Sequence, residues 1–144
     1  MIDVLKKKSI VAVVDGQGGG IGKAFIEKLR EARPEVHIRA LGTNAVATSV
    51  MMRAGATDGA TGENAIIFNV KSADVIVGPA GIVMPNALLG EVSPAMASAT
   101  GASEALKVLI PSNRCSFQLA GMPDLPLSKY IESALALTLD ALKD

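Results

Sequence analysis

Apolar positions along this chain fall into two alternating patterns. β-Branched and aliphatic runs at residues 9–14, 36–41, 73–77 and 106–110 predict buried strands, with a shorter one over 57–60. Between them the spacing changes. Ile21, Ala24, Phe25, Leu29 and Ala32 recur three and four apart, which predicts a helix over 20–32 that Pro34 ends. Thr43 or Asn44 caps a second helix running to Ala54, with Gly55 as its left-handed stop. Thr61-Gly62-Glu63-Asn64 opens a short helix over 65–70, with Thr61 and Asn64 as a capping pair. A broken helical stretch is expected over 84–99 and an edge strand over 117–120. A last helix over 127–142 carries Leu127, Ile131, Leu135, Leu139 and Leu142 on one side.

Strands alternating with helices through short connections predict an α/β fold: a three-layer, doubly wound, mostly parallel sheet of five or six strands, Rossmann-like, in one domain spanning 1–144. Composition agrees. Apolar residues make up 49% but aromatics only 3%, so the core is built from Ala, Val, Ile, Leu and Met, as in a sheet buried on both faces.

Charge and cysteine content narrow the partners. Fourteen basic residues balance fourteen acidic ones, which leaves no electrostatic footprint for nucleic acid. A single cysteine excludes an internal disulfide and fits a cytoplasmic setting. The apolar run 10–14 is far too short for a membrane span or a signal core. Mean hydropathy is nonetheless positive, which points to apolar helix faces hidden in a homo-oligomer.

The candidate chemistry sits where the first strand hands over to the first helix. Residues Gly16, Gln17, Gly18, Gly19, Gly20, Ile21 and Gly22 include five glycines in seven positions. Free amides at a helix start attract an anion, and glycines let a phosphate approach the backbone. The spacing Gly16-x-x-x-Gly20-Ile21-Gly22 resembles the turn of short-chain dehydrogenases, which implies NADP or NAD as cofactor. The competing reading is a tight turn whose glycines serve helix–strand packing. Strand two ends in Leu41-Gly42-Thr43-Asn44, without the acidic residue that holds a ribose hydroxyl. Thr43 and Asn44 either receive a 2′-phosphate or simply cap the next helix. The only tyrosine, Tyr130, has Ala134 four residues on, so the Tyr-x-x-x-Lys pair of those enzymes is absent. Asp15 would repel a phosphate and is read as a cap of the turn. Lys23 followed by Ala24 resembles a P-loop that has lost its Mg²⁺-binding hydroxyl.

In an open α/β sheet the ligand lies outside the carboxyl ends of the strands, where strand order reverses. The strand ending at Gly78 is expected to neighbour strand one, which makes Gly78, Pro79, Ala80 and Gly81 the second wall. Thr61, Glu63, Asn64, Asn86, Ser112, Asn113, Arg114 and Cys115 gather at the same edge. Each also has a structural reading as a cap, a surface ion pair or, for Cys115, a buried small side chain. His37 falls within strand two, away from this edge, and no Ser–His–Asp or paired-carboxylate constellation is visible.

The phrases Val-Asp-Gly-Gln-Gly-Gly-Gly-Ile-Gly-Lys, Ala-Leu-Gly-Thr-Asn-Ala, Gly-Ala-Thr-Gly-Glu-Asn-Ala and Val-Gly-Pro-Ala-Gly-Ile-Val together resemble a small bacterial family of unknown function. Its members are short, stand alone and are sometimes described as nucleotide-dependent dehydrogenases. The resemblance implies a Rossmann-like fold in a bacterial cytoplasm and carries no catalytic residues. Three functions follow: a protein binding a nucleotide or other phosphate-bearing small molecule, with an oxidoreductase using NADP or NAD as one form of it; a non-catalytic sensor or scaffold that binds a small anion or nucleotide and acts through a homo-oligomer interface; or a hydrolase built around the altered P-loop.

Overall fold

The computed structural model describes residues 8–112 and 117–143. Five strands, β1 (Ile10–Asp15), β2 (His37–Gly42), β3 (Asp58–Thr61), β4 (Val75–Pro79) and β5 (Leu106–Ile110), form one sheet in the order β3-β2-β1-β4-β5. Every pairing is parallel. The chain moves outward from β1 to β3, crosses back to β4 and then moves the other way. Strand order therefore reverses between β1 and β4, as expected from the sequence.

Alternation along β1 makes the three layers. Val11 and Val13 point to one face, into a core with Phe25, Ile26 and Leu29 of α1 (Gly20–Ala32), Ala47 and Met51 of α2 (Ala45–Ala54), and Ile131 and Ala134 of α5 (Leu127–Ala141). Ala12 and Val14 point to the other, against Ile66 and Val70 of α3 (Glu63–Val70) and Met96 and Ala97 of α4 (Pro94–Ala102). All four β1 side chains are at most 2% exposed, which is why the strand reads as an unbroken aliphatic run.

Several elements differ from the sequence expectation. The broken helical stretch expected over 84–99 is helical only in its last part: a 3-10 turn at Ala80–Val83 leads into a non-helical loop, and α4 begins at Pro94. Pro85 and Gly90 interrupt the helix, Asn86, Leu88 and Leu89 take left-handed angles, and the Asn86 amide closes the loop on the Val92 carbonyl. Ser93 then caps α4, accepting from the Met96 amide, with Pro94 at the first helical position. Residues 117–120 form no strand. Glycine and proline follow at Gly121, Pro123 and Pro126, and the segment packs over the sheet end instead of along its edge. Gly62, not Thr61, precedes α3, with no side-chain cap; the Thr61 hydroxyl donates to Thr48 Oγ1 instead. Along α5, Ile131 is buried and Leu135, Leu139 and Leu142 pack against the same core as expected, while Leu127 departs from that face at 43% exposed. Among the described residues no helix is long and apolar enough to cross a membrane.

One side chain ties the lower loops together. Arg30 donates to the carbonyls of Gly55, Pro34 and Val36 and to the Thr57 hydroxyl, at 2.7 to 3.0 Å. Removing it leaves three carbonyls without their donor, so Arg30→Ala should lower unfolding free energy by about 2 kcal/mol in urea titration. A loss no larger than that of an ordinary surface substitution would show that water replaces these bonds.

Candidate functional site

The end of β1 organises the edge of the sheet where its order reverses. Asp15, the last residue of the strand, is 4% exposed. One carboxylate oxygen accepts the Gly16 amide and the other the Gly22 amide, each at 2.7 Å. The Ile21 amide adds a weaker contribution. The carboxylate thus satisfies orphan donors at the start of α1, as a cap would. Burial pushes its pKa up; the Gly22 and Gly16 amides oppose that, and nearby Glu91 adds to it.

The five glycines of the turn divide into two kinds. A Cβ on Gly16 would lie 2.6 Å from Thr43 Oγ1, and one on Gly22 would lie 2.5 Å from Met51 Sδ. Gly19 has φ of 73° and faces the Ala47 backbone at 3.0 Å. These three are required by packing and by the left-handed cap of α1. Gly18 and Gly20 are exposed, lie outside the left-handed region, and a Cβ on either meets nothing within 4 Å. No contact within the described chain calls for glycine at either position. Beside them the backbone is bent enough to hold Gln17 at φ of 49°, a costly angle of the kind found at ligand sites.

Glu91 is the residue that sequence reasoning missed. It comes from the 84–92 loop and reaches across to the turn. Its Oε1 accepts from the Gln17 amide at 2.8 Å, the Thr43 hydroxyl at 2.7 Å and the Asn44 side-chain amide at 2.9 Å. Burial raises its pKa, and the donors from Gln17, Thr43 and Asn44 outweigh that and leave it lowered. Thr43 and Asn44 are therefore already engaged with a carboxylate, and Asn44 also caps α2 through the Ala47 amide. The signal in the sequence was faint: a glutamate after Gly90, brought to the turn by left-handed angles at two leucines that no residue preference announces.

An open cleft of about 1460 Å³ lies beside the turn. Asp15 to Ile21 form its floor, with Pro79, Leu88, Pro111 and Ser112 at the strand ends, and residues 117–119 and 122–127 with Tyr130 as the outer wall. This exceeds the size of a typical small-molecule site, so a ligand would fill part of it. Of the proposed second wall only Pro79 faces the cleft. Gly78 packs against the backbone of Val14, and Ala80 and Gly81 are buried in the 3-10 turn. Asn86 lies in the 84–92 loop, Thr61 faces α2, and Glu63 accepts the Ser93 hydroxyl at 2.5 Å. Asn113, Arg114 and Cys115 lie outside the described residues. His37 pairs with Asp58 at 3.0 Å, beside Arg39, at the opposite end of β2. The Tyr130 hydroxyl donates to the Pro123 carbonyl and accepts the Leu125 amide, pinning the outer wall. Among the described residues no cluster of His, Cys, Asp or Glu could hold a metal ion.

The family model described as "Domain of unknown function (DUF3842)" matches residues 10–143. A comparison with curated proteins finds no match. Among solved structures, the dodecameric FMN-dependent UbiX-like decarboxylase from Escherichia coli O157:H7 is similar in fold, with a TM-score of 0.51 at 16% identity. The alignment covers 90% of this chain and 93% of that one. The likeness is one of fold, and it agrees with the parallel three-layer architecture.

Two expectations follow from this geometry. Gly16→Ala and Gly22→Ala should each lower the melting temperature clearly, because a methyl must displace Thr43 or Met51, whereas Gly18→Ala and Gly20→Ala should not. Equal losses at all four positions in a thermal melt would contradict the division. Glu91 should also leave a pH signature. With its folded-state pKa depressed, its stabilisation is complete above the usual 4.5 and is lost as pH falls through the folded value. The stability gap between the native chain and Glu91→Gln in urea titrations should therefore shrink on acidification; a gap independent of pH would refute the assignment.

Proposed function

This chain belongs to the DUF3842 family, and we propose that it binds a nucleotide-like ligand whose phosphate sits on the amides of Gly18 and Gly20. The observation that carries this is the pair of open glycines. Glycine costs backbone entropy, about 0.5–1 kcal/mol against alanine in a helix, and nothing inside the described chain requires it at these two positions. Glycine there leaves the backbone open to close approach by a phosphate at the start of α1, which the helix dipole favours. The ring of such a ligand has a surface to meet. Leu119, Met122, Leu125 and Leu127 of the outer wall are 39% to 56% exposed, and Tyr130 lies among them.

FMN, on which the fold neighbour depends, combines one phosphate with one planar ring and meets both requirements. NADP or NAD, implied by the spacing of the turn, brings a pyrophosphate and a second nucleotide, which the volume of the cleft does not exclude. We read the protein as a binding protein without a poised catalyst. Asp15, Asp124 and Tyr130 are the titratable side chains among the described lining residues, and both Asp15 and Tyr130 are committed to backbone partners. That favours the sensor reading over the oxidoreductase one. The half-exposed leucines of the outer wall also suit a homo-oligomer in the cytoplasm whose neighbouring copy covers the cleft.

A thermal-shift screen against FMN, AMP, NAD, NADP and inorganic phosphate tests the reading. A ligand at a hundred times its dissociation constant should add about 2.7 kcal/mol of stability. Gly18→Val should abolish that response while leaving the melting temperature of the free protein unchanged. No response to any of these compounds, or an undiminished one in Gly18→Val, would overturn it.

A further inference from the structure

The amides of the turn divide by partner. Those of Gly16, Ile21 and Gly22 serve Asp15. The Gly19 amide bonds the Gly16 carbonyl at 2.9 Å, and the Gln17 amide bonds Glu91. The amides of Gly18 and Gly20 are the two without a partner among the described residues. These two amides, two positions apart, one in the turn and one at the first residue of α1, offer donors for one phosphate group. A second phosphate, bridged to the first, would need the next donors along the turn: the Gln17 amide, the Thr43 hydroxyl and the Asn44 side chain. All three converge on Glu91 Oε1 within 2.9 Å. Three donors from two separate segments on a single oxygen make a complete anion-binding nest, and the chain fills it with its own carboxylate. Leu88 closes the same place sterically, its Cδ1 lying 2.9 Å from where a Gly16 Cβ would be.

The loop that delivers Glu91 is held against its own preference. Asn86, Leu88 and Leu89 sit at φ of 65°, 58° and 57°, and Gly90 follows at 90°. Left-handed angles at two leucines are costly. The hydrogen bonds to Glu91 help hold that conformation.

We infer that Glu91 is a specificity-determining residue: by occupying the nest beside Gly18 and Gly20, it restricts the site to ligands bearing a single phosphate group and excludes those bearing a pyrophosphate. The inference rests on the proposed binding of phosphate at the glycine turn and names the ligand class within it, mononucleotides against dinucleotides and nucleoside diphosphates. Exclusion has two parts. The donors a second phosphate needs are taken, and the carboxylate repels the additional charge at contact distance in a partly desolvated setting.

Calorimetric titration with inorganic phosphate against pyrophosphate, and AMP against ADP, tests it at fixed ionic strength. The native chain should bind each monophosphate at least about tenfold more tightly than its diphosphate counterpart. Glu91→Gln keeps the size of the side chain and an oxygen that can accept, but removes the charge. It should narrow the gap by about tenfold, mostly by improved diphosphate binding. Equal binding of the two classes by the native chain would overturn the inference without recourse to any variant. A gap unchanged in a folded Glu91→Gln protein would do the same. In both cases monophosphate binding survives, so the proposed function stands. Absence of binding by all four compounds would remove this inference, while the proposed function is decided separately by the response to FMN, NAD and NADP.

Discussion

Two hydrogen bonds to Asp15, one from the Gly16 amide and one from the Gly22 amide, fix how the first strand joins the first helix. A carboxylate at this place does what an external anion does at other helix starts: it satisfies amides that have no intrahelical partner and sits favourably in the helix dipole. Placed there by the chain itself, it sets the path of the turn. Gly16 must then pass beneath Thr43, Gly19 must adopt a left-handed angle against Ala47, and Gly22 must lie against Met51. The same two bonds consume the amides that a phosphate would otherwise take. The remaining donors are displaced toward the middle of the turn, at Gly18 and Gly20.

Asp15 and Glu91 act as a pair on this small stretch of backbone. Their mutual repulsion contributes to the raised pKa of Asp15, after burial has done most of the work. The two carboxylates come from different parts of the chain, one from the end of β1 and one from a loop seventy-four positions downstream of Gln17. What lies between them is a gap in the donor inventory. The selectivity argued from Glu91 follows from this shortage of free amides more than from any single contact.

The architecture was legible because it depends on local patterns. Aliphatic runs marked the strands, a three-and-four spacing marked α1 over the residues expected, and the reversal between β1 and β4 followed from the order of elements. The turn was legible as a site candidate but not in detail, since spacing alone cannot separate Gly16, Gly19 and Gly22, which packing demands, from Gly18 and Gly20, which it does not. The 84–92 loop was illegible for a sharper physical reason. Its course depends on left-handed angles at Leu88 and Leu89, which oppose local preference and persist because Glu91 finds three donors far away in sequence. Thr43 and Asn44 were read as receiving a 2′-phosphate or capping the next helix; Asn44 does cap α2, and both side chains donate to Glu91. The partner they meet lies within the chain.

The electrostatic balance of the turn bears on where binding energy comes from. The helix dipole supplies the equivalent of about half a positive charge, and two carboxylates stand close by. No described lysine or arginine lines the cleft. A phosphate held here is oriented by two amides and gains little from net charge. Affinity must then come chiefly from the ring against the leucines and methionine of the outer wall; burying about 100 Å² of apolar ring contributes about 2.5 kcal/mol. In such a division of labour the phosphate would position and the ring would bind, against a wall that Tyr130 fastens through the carbonyl of Pro123 and the amide of Leu125. On the proposed reading the wall would be the larger source of affinity, and its position relative to Gly18 and Gly20 would set the length of ligand that satisfies both ends.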